Sequence, residues 1–527
     1  MMVRATVMVL CAFLSSIQAL GAQSTTSKLA SRDDARSQHI VAPPELAGGP
    51  GPVPTPPSPA SLQFIQSKAI TAADPHDVKS LGPAIQELTA LIHLEPTNSD
   101  FYLLRATFSC YMRANSAEIL NDVSRSISLH AQSTSAYPTL KNHYVLKAKI
   151  EFENGRLEDS MRDLDVAIAG SYEDAKDVFD DGNTKPTTTT QPCVWTLADL
   201  DTLERRFPQD YRPPLYRGLY LTFFYSFDLD SDYSPVFDAF HRAATLNSAS
   251  PLPEFYIGEL YSTGRLGGLM STKNAQCLDE VVPRTPQCLA LDEVHRSAVR
   301  SLTRSIALDT NFGPAYALRA VAFADLKEYR QAIRDYDEVL ELKPDPETAR
   351  IAYNDRGLAH ASLREYQSAV QDFSKSIAIG CKESCGSYEN RANAYIKLHE
   401  YPKAIEDISA AIKQYLSSAV FQMNIDQFRR IYPEFDAMPD DVLCEKLRAL
   451  FFPQMKYADF AKQFLMDAKD FESTVLPDFY LKRGDAYASM KQPQKANAEY
   501  DRVSRGFPEY ARYAFDQVNG KRVRKSQ

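Results

Sequence analysis

The chain has 527 residues, 59 basic against 68 acidic side chains, a formal net charge of −9 and 44% hydrophobic residues. Its acidic balance argues against nucleic acid, which calls for a concentrated basic surface. No His-Glu-x-x-His pair, Gly-rich phosphate loop or Gly-x-Ser-x-Gly elbow occurs, so no catalytic residue, metal or cofactor is expected.

Residues 1–22 read as a secretory signal: Arg4 gives a positive start, ATVMVLCAFL an apolar core and SSIQALGAQS a small-residue cleavage region, with cleavage after Gly21 or Ala22. The apolar run is shorter than the roughly 20 residues that a membrane span needs. The mature chain is therefore expected to be secreted or periplasmic without a membrane span, an uncleaved N-terminal anchor being the other option. Residues 23–60 form a Pro-rich linker, APPELAGGPGPVPTPPSPA at its end, which favours an extended spacer.

Residues 61–247 carry degenerate helix-turn-helix units, placed by second helices that read AIQELTALIHLEP, NDVSRSISLH and MRDLDVAIAG. The units fall near 62–98, 99–131, 141–172, 173–208 and 211–247. Within YRPPLYRGLYLTFFYSF, Tyr216, Leu219 and Phe223 stand at i, i+3 and i+7, facing Phe255 and Tyr256 of the next unit. They make either an aromatic groove for an extended or helical peptide, or core. Residues 248–310 hold one more unit, interrupted by GRLGGLMSTKNAQCLDEVVPRTPQ.

Residues 313–418 contain three regular copies, AYALRAVAFADLKEYRQAIRDYDEVLELKP, AYNDRGLAHASLREYQSAVQDFSKSIAIG and SYENRANAYIKLHEYPKAIEDISAAIKQ, and residues 477–510 a fourth. Small residues recur where paired helices approach (Ala320 and Ala332, Gly357 and Ala369, Ala392 and Ala404, Gly484 and Ala496), with aromatics such as Tyr316, Phe323, Tyr336, Tyr353, Phe373, Tyr388, Tyr395 and Tyr500 between them. The unit resembles the tetratricopeptide repeat of about 34 residues. That resemblance implies an all-α fold, a right-handed α-solenoid of helix-turn-helix units whose neighbours bury each other's apolar faces. It also implies a concave groove lined by each first helix, here Asn354, Asp355, Leu358, Glu389, Asn390, Asn393 and Lys397. The lysine and asparagine clamp with which some relatives grip a C-terminal carboxylate is not matched.

One repeated detail is the chain's own. Arg105, Lys147, Arg319, Arg356, Arg391 and Arg483 in first helices accompany Asp122, Asp163, Asp335, Asp372, Asp407 and Glu499 in second helices. The interrupted unit loses both charges together, at Ile257 and Ser301, whereas Arg217 opposite Ala239 is an exception. Ion pairs bracing the two helices of each repeat are expected, rather than a basic stripe for an acidic ligand.

Between repeats the pattern breaks at 419–476. There IYPEFDAMPDDVLCEKLRALFFPQMKYADFAKQFL offers Val442, Leu443, Leu447 and Leu450, then Tyr457, Phe460, Ala461 and Phe464, as two apolar stripes. It resembles a small helical segment of bacterial and phage proteins and reads as a docking element. Residues 511–527 are a basic tail. Cys277 with Cys288, and Cys381 with Cys385, are candidate disulfides in an oxidising compartment; Cys110 and Cys444 are expected to pack, and Cys193 is ambiguous. The combined reading is a non-enzymatic protein or peptide scaffold of the bacterial cell envelope. A scaffold contacting envelope polysaccharide, and an enzyme built from the inserts, are the alternatives.

Overall fold

A computed structural model describes residues 67–71, 73, 78–130, 140–169, 193–225, 233–262, 286–380, 386–419, 425–451, 475–507 and 510. The signal, the linker, the basic tail, Cys277, Cys381, Cys385 and the stripe from Tyr457 to Phe464 lie outside these residues, as does the side chain of Cys288. The described residues form two compact units, one ending at Leu342 and one starting at Lys343. The boundary falls inside the run that the sequence presents as three regular copies.

The first unit contains α1 (Lys68–Thr71), α2 (Val78–Leu94), α3 (Ser99–Tyr111), α4 (Ser116–His130), α5 (Leu140–Glu153), α6 (Leu157–Ala169), α7 (Leu197–Arg206), α8 (Arg212–Tyr225), α9 (Ser234–Leu246), α10 (Leu252–Ser262), α11 (Pro286–Leu308), α12 (Gly313–Asp325) and α13 (Tyr329–Glu341). Helices pack in hairpins α3/α4, α5/α6, α8/α9, α10/α11 and α12/α13, with α2 against α3 and α7 against α8. The second unit contains α14 (Pro346–Ser362), α15 (Tyr366–Ile379), α16 (Ser387–Lys397), α17 (Tyr401–Ala419), α18 (Ile425–Ile431), a 3-10 turn (Pro433–Phe435), α19 (Asp440–Phe451), α20 (Val475–Ser489) and α21 (Pro493–Gly506). Its hairpins are α14/α15, α16/α17 and α20/α21. The fold is all-α, a stack of helical hairpins in each unit.

Local chemistry sets the ends of these helices. Asn98 caps α3 by accepting from the Asp100 amide at 3.1 Å, and Asp345 caps α14 by accepting from Glu347 and Thr348, with Pro346 in the first turn. Six of the described hairpin turns contain one left-handed residue. Arg113, Gly155, Lys327, Arg364, His399 and Lys491 all supply it, with φ between 54° and 76°, and only one of the six is the glycine that adopts it without steric cost. Close approach within a hairpin depends on the missing side chain. A Cβ on Gly357 would stand 2.6 Å from the Phe373 ring, and one on Gly484 would stand 2.4 Å from Tyr500.

In the second unit α17 packs directly on α20, so the stacking of hairpins continues across the inserted residues. The described part of the insert packs into the core and does not stand apart from it. Phe428, Ile431, Tyr432, Phe435, Leu443, Cys444 and Leu447 are buried in one core with Leu476, Phe479, Tyr480, Tyr500 and Phe507 of the last repeat. Arg502 on α21 donates to the Ile431 carbonyl at 2.8 Å and to Glu434 at 2.8 Å, and its guanidinium lies over the Tyr432 ring. The apolar stripe also differs from expectation. Val442 is exposed, because Leu443 and Cys444 occupy the inward face of α19.

Candidate functional site

The aromatic groove is core. Tyr216, Leu219, Phe223, Phe255 and Tyr256 are all buried, Tyr216 and Phe255 completely. The Tyr216 hydroxyl donates to Asp165 at 2.6 Å and lies 2.9 Å from the Met161 carbonyl, so even its polar end is satisfied inside the fold. Burial beside the Asp165 carboxylate holds this phenol well above its usual pKa. Phe255 meets the edge of Phe312, and Tyr256 stacks on Phe240. The aliphatic and aromatic area removed from water here outweighs any gain from presenting it.

The paired charges form braces between the helices of single repeats. Arg105 meets Asp122, Arg319 meets Asp335, Arg356 meets Asp372 and Arg391 meets Asp407, each at 2.7 Å; Lys147 meets Asp163 at 2.9 Å and Arg483 meets Glu499 at 2.8 Å. The four Arg-Asp pairs are two-pronged, through Nε and Nη2. A third arm reaches the preceding hairpin. Nη1 of Arg105 donates to Thr89, of Arg319 to Thr303, of Arg391 to Ser374 and of Arg483 to Ser409, at 2.9 to 3.1 Å. Ser409 precedes the insert and Arg483 follows it, so the brace spans the interruption. Hydrogen bonding to Asp122 and Asp407 raises the Arg105 and Arg391 guanidinium pKa. Arg217, which has Ala239 at the brace position of its own second helix, pairs instead with Asp201 and Glu204 on α7.

First-helix residues that stay accessible gather on α14, α16 and α20. Leu358 is 42% exposed, and Ile351, one heptad earlier on α14, is 44% exposed. Asn354 lies between them. It donates to Asp355 at 2.9 Å, and its carbonyl oxygen accepts from Ser387 at 2.9 Å and from Asn390 at 3.0 Å, tying α14 to α16. Burial raises the Asp355 pKa, and the bond from Asn354 partly opposes it. Lys482 on α20 donates to Glu389 on α16 at 2.8 Å and pairs with Asp478 at 2.6 Å. Asn393 is half-buried and Lys397 exposed. Three first helices thus share one surface, polar and ordered by side-chain bonds, with two aliphatic side chains left uncovered. Ile351 was not singled out by the sequence pattern, although its spacing from Leu358 places both on one helical face.

Two other features escaped the sequence reading. Cys110 and Cys193, 83 residues apart, form a disulfide with Cα atoms 5.8 Å apart, so Cys110 is bonded as well as packed. Next to it Lys149 and Asp199, both 1% exposed, pair at 2.7 Å, and Asp199 also accepts from the amide and hydroxyl of Thr196, the residue that caps α7. Cys444 is the free thiol among the described cysteines, and burial pushes it up to about 11.

A family model described as tetratricopeptide repeat matches residues 317–380, where the hairpins α12/α13 and α14/α15 show the small-residue contacts and turns described above. These residues are tetratricopeptide repeats. No curated protein matches the chain. Among solved structures, the MamA protein is 13% identical, covering 50% of this chain and 96% of its own, at a TM-score of 0.30. YrrB, described as a tetratricopeptide repeat protein with an unusual peptide-binding site, is 17% identical over 42% of this chain and 99% of its own, at 0.24. A human IFIT1 dimer with m7Gppp-AAAA is 12% identical over 85% of this chain and 71% of its own, at 0.27. These likenesses are too distant to support argument about ligands. The tetratricopeptide fold as such is a scaffold for interactions between proteins.

Proposed function

We propose that this chain is a non-enzymatic scaffold that binds a partner protein or peptide on the first-helix surface of α14, α16 and α20. The observation that carries the reading is the uncovered pair Ile351 and Leu358 beside the fixed amides of Asn354 and Asn390. Aliphatic side chains left in water next to oriented hydrogen-bonding groups suit an extended peptide, whose side chains take the apolar contacts while its backbone meets the amides. Glu389, Asp478 and Lys482 add charge of both signs, so register rather than bulk attraction would be set there. Selection of displayed peptides on the full chain tests this. Binding of a selected peptide should drop in Leu358→Glu with an unchanged melting temperature, and undiminished binding in both Leu358→Glu and Ile351→Glu would refute the surface.

The cell-envelope setting is part of the same proposal. The N-terminal signal pattern supports export, and a disulfide joining segments 83 residues apart suits an oxidising compartment. No described helix is long and apolar enough to cross a membrane. Mass spectrometry of the protein from an extracytoplasmic fraction should find a mature start after Gly21 or Ala22; an intact N-terminus in the cytoplasm would contradict export. Aromatic rings exposed in the groove would favour the polysaccharide reading; among the described residues the large exposed apolar side chains are Leu, Ile, Val and Met, which suit a protein partner.

A further inference from the structure

The brace arginines differ in what covers them. Arg319 lies 5.5 Å from the Tyr316 ring centre and 5.8 Å from Phe323; Arg391 lies 5.9 Å from both Tyr388 and Tyr395. One ring comes three residues before the arginine and one four residues after. In two repeats the later ring is itself covered by a lysine from the second helix, Lys403 over Tyr395 at 5.3 Å and Lys495 over Tyr487 at 5.4 Å, where the α12/α13 repeat has Gln331. In the α3/α4 repeat Arg105 keeps the earlier ring, Tyr102 at 5.8 Å. The later ring position is Ser109, and the lysine position is Ala117. Two positions that touch one another elsewhere are both reduced here, and a cavity of about 500 Å³ opens beside Arg105, lined by Ile85, Thr89, Ser109, Ala117, Ile119 and Asp122.

We propose that this cavity is an anchor site for one aromatic side chain of a partner protein, seated where Tyr395 sits in its own repeat. The hydrogen-bonding edge of the guanidinium is already engaged, by Asp122 at 2.7 Å and Thr89 at 3.1 Å. An anion would have to displace Asp122, whereas a flat ring needs only the guanidinium face, which attracts π-electrons. Ile85 and Ile119 supply apolar walls, and a few hundred Å³ accommodates a ring. The exposed Glu118 and Asn121 at the mouth leave room for the chain that carries the ring. This inference rests on the reading that the chain binds proteins, but it concerns a separate surface from that of Leu358.

The test is selection of displayed linear peptides on the full chain, followed by affinity measurement of the enriched peptides. Peptides specific to this site should share one aromatic residue and lose about tenfold or more in affinity to Ser109→Tyr and to Ala117→Lys, while binding Leu358→Glu as they bind the wild type. Ala117 is exposed, so Ala117→Lys decides the matter if Ser109→Tyr folds poorly. Enriched peptides without a common aromatic, or equal binding by both cavity variants, would overturn the anchor. Loss confined to Leu358→Glu would overturn the anchor and leave the groove reading standing, and a peptide no tighter than N-acetyl-tyrosinamide would overturn a protein as its ligand.

Discussion

The α16/α17 and α5/α6 repeats solve one packing problem with different chemistry. In the first, Arg391 grips both oxygens of Asp407 and lies against Tyr388 and Tyr395. In the second, Lys147 takes the place of the arginine and Glu151 stands where Tyr395 stands, so one ammonium faces two carboxylates, Asp163 at 2.9 Å and Glu151 at 3.8 Å. A planar fork fills its donors on one acid, whereas a point charge is shared. Burial, with Asp163 alongside, pushes the Glu151 carboxyl up to about 7 despite Lys147 and Arg156 nearby. The geometry of the brace is kept, and Glu151 adds a carboxyl that titrates near neutrality.

Removing an arginine should cost most where water is excluded. Arg483 is fully buried, so Arg483→Leu leaves the buried Glu499 to the more distant Arg502 at 4.0 Å and should lower unfolding free energy by about 3–5 kcal/mol in urea melts. A loss under about 1 kcal/mol would class the brace with surface pairs. Gly357→Ala drives a methyl into the Phe373 ring and should cost about 1–3 kcal/mol, readable by the same melts.

The lysine brace should respond to pH through Glu151. A carboxyl whose pKa is raised on folding contributes stability below its unfolded pKa, here near the ordinary 4.5, and loses that contribution as pH rises through about 7. Glu151→Gln should therefore be more stable than the wild type at pH 8 and gain little near pH 4.5; identical pH profiles would show that Glu151 does not titrate in this range. The smallest effect is expected at the turns. Lys327 holds φ at 62°, and Lys327→Gly should raise stability by up to about 1 kcal/mol as steric strain offsets the entropy of glycine.

The hairpins were legible in the sequence because a buried interface between two helices repeats its small residues and aromatics at fixed spacing. The braces were legible for the same reason: Arg319 and Asp335, like Arg391 and Asp407, stand 16 residues apart, and a charge that recurs with its opposite has a partner. The side of the helix that faces water was not legible. Tyr216, Leu219 and Phe223 have the spacing of a groove and of a core alike, and only the neighbours, Met161, Asp165 and Phe240 among them, decide between the two. Ile351 shows the converse, an aliphatic residue in a core-like pattern left exposed. Cys110 and Cys193 belong to segments brought together by packing, which sequence separation hides. The insert around Phe428 and Tyr432 looked independent because its partners, Tyr480 and Phe507, lie beyond it in the chain.

The central claim is that the repeated charges hold the frame together and the partner surface lies beside them. The melting temperature and peptide affinity of Arg356→Leu, measured together against Leu358→Glu, test it most directly. Arg356→Leu should melt several degrees lower, since the buried Asp372 loses the guanidinium that bonds both its oxygens, and Leu358→Glu should melt as the wild type while losing the peptide. An Arg356→Leu protein with unchanged melting temperature and no peptide binding would contradict it.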